Sequence, residues 1–362
     1  QELQFWFIFV KNYTIRTMAS YKRIPLKPFP NGWYVLAHSH EVKNGEIITR
    51  RFAGKDILLF RTASGKLSVS DPYCPHMGGH LGYGGVVEGD SIKCPFHHFC
   101  FDTKGDCTAT GYGSKPSSKL KLPVYHFDEK NDLILIWFDE KNAAPTWHVP
   151  QEDWSEWTAV RFAEYDFNSH PQETSENSVD VGHFGIVHGY TGVETLHEME
   201  SHEHYLYAKY AMNRVADFVG KKRTIRTEFN VHVHGLGYSF VQTEIADLGM
   251  ETRHFVLPTP TDKGKLKLRI GVSIKKMQKF NKITPLLNFI PNKLAHKLLL
   301  DGAYKGYCHD VSLDFKIWEN KIYIDPPILA KGDGPVAQYR MWAQQFYYDD
   351  STQVNYIPQE IV

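Results

Sequence analysis

Cys74-Pro-His76 and Cys94-Pro-Phe-His97 stand about twenty residues apart, and each brings a thiol and an imidazole onto one tight loop. Pro75 and Pro95 stiffen the loops by fixing φ. Gly78, Gly79, Gly84 and Gly85 let the intervening backbone fold closely and present N–H groups. Three chemistries take such a set. A [2Fe–2S] centre can use two thiolates on one iron and two imidazoles on the other, with N–H donors to its sulfurs. Zinc accepts the same four ligands, but zinc fingers pair C-x₂₋₄-C with H-x₃₋₅-H, whereas each loop here is mixed. A disulfide between Cys74 and Cys94 leaves both histidines unexplained, although such a bond can accompany a cluster. The mixed loops favour the two-iron centre. Cys100 and Cys107 have no matching partners, and His80 and His98 fall off the spacing, so they stand beside the site at most.

A second constellation lies in Ser175–Gly189, SENSVDVGHFGIVHG. Its pattern reads as helix, which would set Asn177, Asp180 and His183 on one face. His188 lies roughly 140° further round an ideal helix, so both imidazoles reach one metal only if the helix distorts. Gly182 and Gly185 permit that. Two histidines and a distant carboxylate make the facial triad of a non-haem Fe(II) oxygenase, with positions left open for O₂. The carboxylate candidates are Asp310, Asp314 and Glu319 in YCHDVSLDFKIWENK. Asp310 and Asp314 share a helix face, so spacing alone does not separate them. The alternative for Asp310 is a solvated charge. The alternating pairs His202/His204 and His232/His234 would each point to one sheet face, as polar strand residues rather than ligands.

Taken together, Cys74-x-His76…Cys94-x-x-His97 and Asn177-x-x-Asp180-x-x-His183-x₄-His188 resemble the oxygenase component of the Rieske non-haem iron oxygenases, over nearly the whole chain after about residue 20. The resemblance implies a Rieske domain followed by a helix-grip-like catalytic domain, in head-to-tail homotrimers. Asp180 matches the family's bridging aspartate, which would link His183 to the neighbouring subunit's cluster histidine, His97 in this chain. DFKIW resembles the D-x-x-I-W of the steroid-oxidising branch, which points to Asp314 as the iron ligand. DPYCPHMGGHLGYGGVVEGDSIKCPFHHFCFD, DFKIWENK and YRMWAQQFY are similar to the 3-ketosteroid 9α-hydroxylase and cholesterol 7-desaturase group. The implied reaction is hydroxylation, desaturation or oxidative demethylation of a sterol or steroid. Electrons would come from NAD(P)H through a flavin- or ferredoxin-type reductase, pass through the [2Fe–2S] cluster and reach the mononuclear Fe(II). No G-x-G-x-x-G follows a strand here, so the nicotinamide site belongs to that partner. Two alternatives remain: an oxygenase for an aromatic or other apolar acid, and a Rieske electron carrier whose Asp180, His183 and His188 are core residues.

The elements that must hold these residues read as α+β. From GWYVLAHSHEV to LILIWFDE, short alternating runs broken by ASGK and EKND predict an antiparallel β domain over 21–150. APTWHVPQEDWSEW reads as a linker. Residues 151–362 mix strands (EFNVHVHGLGYSFVQTEIA, KLKLRIGVSI) with helices, predicting an antiparallel sheet flanked by helices. Residues 1–20 read as a leader or tag-like segment, with Met18 a natural start; the other reading is the stub of a trimmed membrane anchor. MQKFNKITPLLNFIPNKLAHKLLL is rich enough in Leu, Ile and Phe to cap an apolar pocket or to form an ordinary core helix. Among the 362 residues, 41 basic side chains balance 41 acidic ones, which excludes a global field for nucleic acid. Five cysteines, unevenly placed, suit a reducing compartment rather than a secreted disulfide scaffold. The expectation is a cytoplasmic protein, with peripheral membrane association left open.

Overall fold

The computed structural model describes residues 23–218 and 221–348, and the leader expected over 1–20 lies outside them. Ten short strands occupy residues 32–138. They are β1 (Gly32–His38), β2 (Ile47–Phe52), β3 (Lys55–Arg61), β4 (Leu67–Ser70), β5 (Val86–Glu88), β6 (Ser91–Lys93), β7 (Cys100–Asp102), β8 (Cys107–Ala109), β9 (Phe127–Lys130) and β10 (Leu133–Phe138). They pair as three antiparallel sheets, β1-β10-β9, β2-β3-β4 and β5-β6-β7-β8. The ASGK and EKND turns connect β3 to β4 and β9 to β10. β3 is buried on both faces because its run ILLF is apolar at every position. Ile57 and Leu59 join Tyr34, Leu36 and Ile134 on one side. Leu58 and Phe60 pack on the other against Ile92, Phe101 and the two motif cysteines. The cysteine loops therefore rest on the core.

Residues 139–160 carry neither helix nor strand, as the linker reading expects. Beyond them a seven-stranded antiparallel sheet runs β11-β17-β16-β15-β14-β13-β12. Its strands are β11 (Arg161–Phe167), β12 (Thr191–His202), β13 (Tyr205–Phe218), β14 (Lys221–His234), β15 (Tyr238–Ile245), β16 (Met250–Asp262) and β17 (Lys265–Ile274). Helices α1 (Pro171–Glu176) and α2 (Gly182–Ile186) fill the β11–β12 connection, and α3 (Asn292–Asn320) and α4 (Val336–Ala343) follow the sheet. α3 packs Val311 and Trp318 on Phe167, Leu266, Leu268 and Ile270. The two parts of the chain interlock at Arg269, whose buried guanidinium donates to the carbonyls of Val35 and Leu36 at 2.9 Å each. Glu164 accepts from its Nε at 2.7 Å and leaves the charge paired.

The single helix expected over Ser175–Gly189 is not formed. α1 ends at Glu176, a turn carries Asn177–Val181, and α2 spans five residues. α1 starts where His170 caps it, Nδ1 accepting from the Gln172 N–H at 3.1 Å, with Pro171 at the first helical position. All six α1 residues are buried, which no isolated amphipathic pattern would show. Glu173 and Glu176 are answered by Lys321 at 2.8 Å and Arg340 at 2.7 Å. The expected SHEHY strand pair is also broken: β12 ends at His202, Glu203 turns with φ 48°, and His204 stacks on Trp147 at 4.2 Å.

Candidate metal centres

The first centre is built on two hairpin loops. The Cys74 N–H donates to the Gly79 carbonyl and the Gly78 N–H returns to Cys74, while Cys94 and Phe99, and His98 and Cys94, repeat the pattern. Both cysteines are buried, at 2% exposure each. All five cysteines of the chain are free thiols, so no Cys74–Cys94 disulfide forms. Burial pushes the Cys74 thiol up to about 11, the nearby Cys94 sulfur adds to the rise, and the N–H groups of His76 and Met77 aimed at its sulfur oppose it. Those N–H groups are the donors that a cluster sulfur environment needs. His76 and His97 stand with ring centroids 4.9 Å apart, and His76 is stacked on Phe99 at 4.1 Å. The cradle is tight: a Cβ on Gly79 would sit 3.1 Å from the Cys94 sulfur and 3.3 Å from the Phe96 Cβ.

Among the described residues, the four ligand candidates do not supply three donor atoms within 4.8 Å of one another, as a single tetrahedral zinc would demand. Paired thiols below and paired imidazoles at the rim suit a [2Fe–2S] group with a sulfur end inside and a histidine end outside. His80 is turned away from that set, its Nδ1 accepting from the Gly82 N–H at 3.0 Å.

The second centre is compact. His183, His188 and Asp314 each offer a ligand atom, and these atoms lie within 4.8 Å of one another. His188 Nε2 is 3.6 Å from Asp314 Oδ2, and the two imidazoles are 5.1 Å apart by centroid. They converge because the chain leaves the helix after Ile186 and turns at Gly189, whose φ is +69°. Gly182 and Gly185, the expected hinges, are not the residues at positive φ.

His183 Nδ1 bonds the Asp180 carbonyl, which fixes the tautomer and leaves Nε2 as the lone-pair nitrogen. Asp180 Oδ1 also accepts from the His183 N–H at 3.2 Å. His188 is held well down, to about 4, first by burial and then by His183, so it is a neutral imidazole. Its Nδ1 is buried without a hydrogen-bond partner. Asp314, 5% exposed, is pushed up to about 6 by burial against the opposing pull of His183 and an Asn177 hydrogen bond. Two imidazoles and one buried carboxylate that lacks a cation fit a divalent iron in donor type.

Asn177 takes a defined place here. Its side chain bonds the Asp314 carboxylate, and its Oδ1 accepts from Trp318 Nε1 at 3.2 Å. It touches the candidate ligand and no reacting position, so it positions Asp314. The Trp of DFKIW thus reaches the site through Asn177. Asp310 is not a solvated charge: its Oδ2 accepts from the Tyr190 hydroxyl at 2.9 Å, and the Tyr190 ring stacks on His188 at 5.4 Å. Sequence reading missed Tyr190, since only the fold brings the segment between α2 and β12 to Asp310 on α3. Glu319 and the His202, His232 and His234 imidazoles do not join this group. A second compact set, His38, Glu41 and Glu164, has its carboxylates engaged by Arg50 and Arg269 at 2.7 Å each.

A small antiparallel β domain with paired Cys/His loops, followed by an antiparallel sheet carrying a two-His, one-carboxylate set, is the architecture of a Rieske-type oxygenase. Residues 32–125 match the Rieske [2Fe-2S] domain and residues 136–347 match the 3-ketosteroid 9alpha-hydroxylase C-terminal domain, and the chain belongs to that family of Rieske oxygenases. The chain is 27% identical to the cholesterol 7-desaturase of Xenopus laevis, covering 91% of this chain and 74% of that protein. It is also 27% identical to the 3-ketosteroid-9-alpha-monooxygenase oxygenase component of Rhodococcus rhodochrous, covering 89% and 82%. Among solved structures, Pseudomonas putida CBB5 NdmA superposes with a TM-score of 0.63 at 14% identity, covering 87% of this chain and 89% of that one. Dicamba monooxygenase bound to dicamba superposes with a TM-score of 0.60 at 17% identity, covering 88% and 98%. These two share the fold. The family implies a [2Fe–2S] cluster and a mononuclear iron, and an oxygenase component works with a separate electron donor.

Proposed function

We propose that this chain is the terminal oxygenase of a system that oxidises a sterol or steroid with O₂, by hydroxylation, desaturation or oxidative demethylation. The observation that carries it is the convergence of His183, His188 and Asp314 beside a largely apolar sheet face. When bound, the cluster held by Cys74, His76, Cys94 and His97 supplies single electrons and the iron held by the triad activates O₂. We assign the first role to residues 21–150 and the second to residues 151–362.

The chain's own groups do the rest. Asp180 fixes the His183 ring, and Asn177 fixes Asp314. The sheet face toward α3 carries Met212, Phe229, Val241 and Val272; in register Met212 pairs with Thr227, Phe229 with Thr243, and Val241 and Val272 both with His254. Such a face suits a fused-ring hydrocarbon. Its polar exceptions include Thr227, whose hydroxyl is buried without a partner, and His254, whose Nε2 meets Thr252 Oγ1 at 2.7 Å while its Nδ1 is unpartnered. They are suited to one oxygen on an otherwise apolar molecule.

We further propose a homotrimer in which Asp180 bridges to His97 of the next subunit. In its favour, the Asp180 side chain is 38% exposed, and exposed Met77, Tyr83, Phe96 and Tyr112 surround the histidine loops. Electrons would come from NAD(P)H through a flavin or ferredoxin reductase. A reducing, cytoplasmic setting agrees with five free thiols, and no helix among the described residues is long and apolar enough to cross a membrane.

One observation favours a second substrate class, an aromatic or other apolar acid: Arg214, on the same face and interacting with Tyr190 and His254, has a buried Nε without a partner. Turnover of a panel of sterols, 3-ketosteroids and aromatic acids by the reduced, iron-loaded protein, read by mass spectrometry, separates the two. Steroids that gain oxygen or lose two hydrogens support the main reading. Conversion of acids alone, abolished in Arg214→Gln, replaces it.

A further inference from the structure

Residues 275–300 carry six lysines, Lys275, Lys276, Lys279, Lys282, Lys293 and Lys297, and no aspartate or glutamate. In a chain whose charges balance overall, this is a local basic field. The segment is anchored from beneath. Phe280 is buried at 1% exposure, and its N–H donates to Asn288 Oδ1 at 3.0 Å. His296 accepts from the Met277 N–H at 2.8 Å, and Ile283 packs among Ile225, Ile245, Leu248 and Met250. This folded cap holds other apolar side chains outward: Leu286 is 67% exposed, Phe289 85%, Leu294 45% and Leu298 50%. Lys279, Lys282, Lys293 and Lys297 stand exposed among them. Asp247 stands at the rim, while Glu251 and Asp301 are ion-paired to Lys275 and Arg161.

We propose that this cap, ahead of and including the first turns of α3, is a docking surface for an anionic lipid bilayer. Leu and Phe at the tip, flanked by lysines, is the composition of an interfacial anchor: apolar side chains enter the acyl boundary while ammonium groups meet acidic headgroups. A second copy of the chain is a poorer occupant: a two-fold contact across this patch would set its lysines against their own copies, and the head-to-tail contact proposed above runs through the Asp180 and His97 surfaces instead. The inference rests on the steroid reading only for its purpose, since an apolar sterol partitions into bilayers and a docked enzyme takes it from there.

The test is sedimentation of the full-length, iron-loaded protein with phosphatidylcholine vesicles, with and without roughly one-fifth phosphatidylserine. Two variants are compared, Leu286→Ser/Phe289→Ser and Lys293→Gln/Lys297→Gln. The expected result is binding that needs phosphatidylserine, falls with added salt, and weakens about tenfold or more in the first variant and severalfold in the second. All four side chains are exposed, so thermal stability and turnover of cyclodextrin-delivered steroid should not change. No vesicle binding, or binding that both variants retain, overturns the proposal. So does a Leu286→Ser/Phe289→Ser variant that loses an oligomer in ultracentrifugation, which would make the patch a contact between copies. Vesicle binding without turnover of any steroid would refute the substrate reading and leave the docking surface standing.

Discussion

Arg340→Met should destabilise the catalytic domain severely. Arg340 reaches from α4 to α1 with a two-pronged contact, Nε to Glu176 Oε2 at 2.7 Å and Nη2 to Glu176 Oε1 at 3.0 Å. The two side chains are only 9% and 7% exposed, and the guanidinium also lies 4.3 Å from the Tyr323 ring centre. Removing one partner of a buried pair leaves the other charge desolvated, a loss of about 3–5 kcal/mol. Lys321, 3.6 Å from Glu176, offsets part of it, so the lower end, about 3 kcal/mol, is expected. For a domain of this size that lowers Tm by roughly 6–12 °C. Arg340→Met/Glu176→Met removes both charges and should recover much of the loss, giving a coupling of about 1–3 kcal/mol in a double-mutant cycle. The assay is urea unfolding of the four proteins, with mononuclear iron content as a second readout, because α1 leads directly into Asn177. A single-variant loss below about 1 kcal/mol, or additive variants, would refute the reasoning.

Asn177→Ala strips a hydrogen bond from Asp314 and orphans the Trp318 N–H, so mononuclear iron should bind about 10–100-fold more weakly while the cluster spectrum is kept; equilibrium metal titration reads this. Asp180→Asn should keep both centres but slow electron transfer between them, seen as an oxidation of reduced cluster that no longer follows product formation. His170 is buried with Nδ1 accepting from Gln172 and Nε2 meeting the Lys27 carbonyl at 2.9 Å, a neutral tautomer, and burial pushes it down to about 4. A histidine that resists protonation in the fold favours folding above its unfolded pKa of ~6.5, and this contribution is lost as pH falls from there through about 4. At most about 3 kcal/mol is involved, so His170→Asn should flatten the dependence of the urea midpoint between these pH values.

Much of this molecule could be read from local spacing. The Cys/His loops were legible because a two-iron centre demands mixed ligands on short loops, and the resemblance pointed to Asp314 rather than Asp310. Strand runs such as KLKLRIGVSI were legible because period-two alternation is a local property. What escaped was set by tertiary contact. The three-residue recurrence of Asn177, Asp180 and His183 reads as helix, yet buried α1 stops at Glu176, and Asn177 turns to Asp314, more than a hundred residues away. Asp310 read as a candidate ligand or a solvated charge, because no sequence window contains Tyr190 with it. The Leu- and Phe-rich stretch 277–300 read as a pocket cap or core helix; Phe280 and Ile283 are indeed core, whereas Leu286 and Phe289 face outward.

The central claim, that one chain carries both a two-iron cluster and a mononuclear iron held by His183, His188 and Asp314, is tested most directly by iron and sulfide analysis with EPR on the parent protein and His183→Ala. The account predicts about three irons and two sulfides per chain in the parent, and in the variant loss of about one iron with the cluster signal unchanged. A parent with two irons, or a variant that loses the cluster signal, would contradict it.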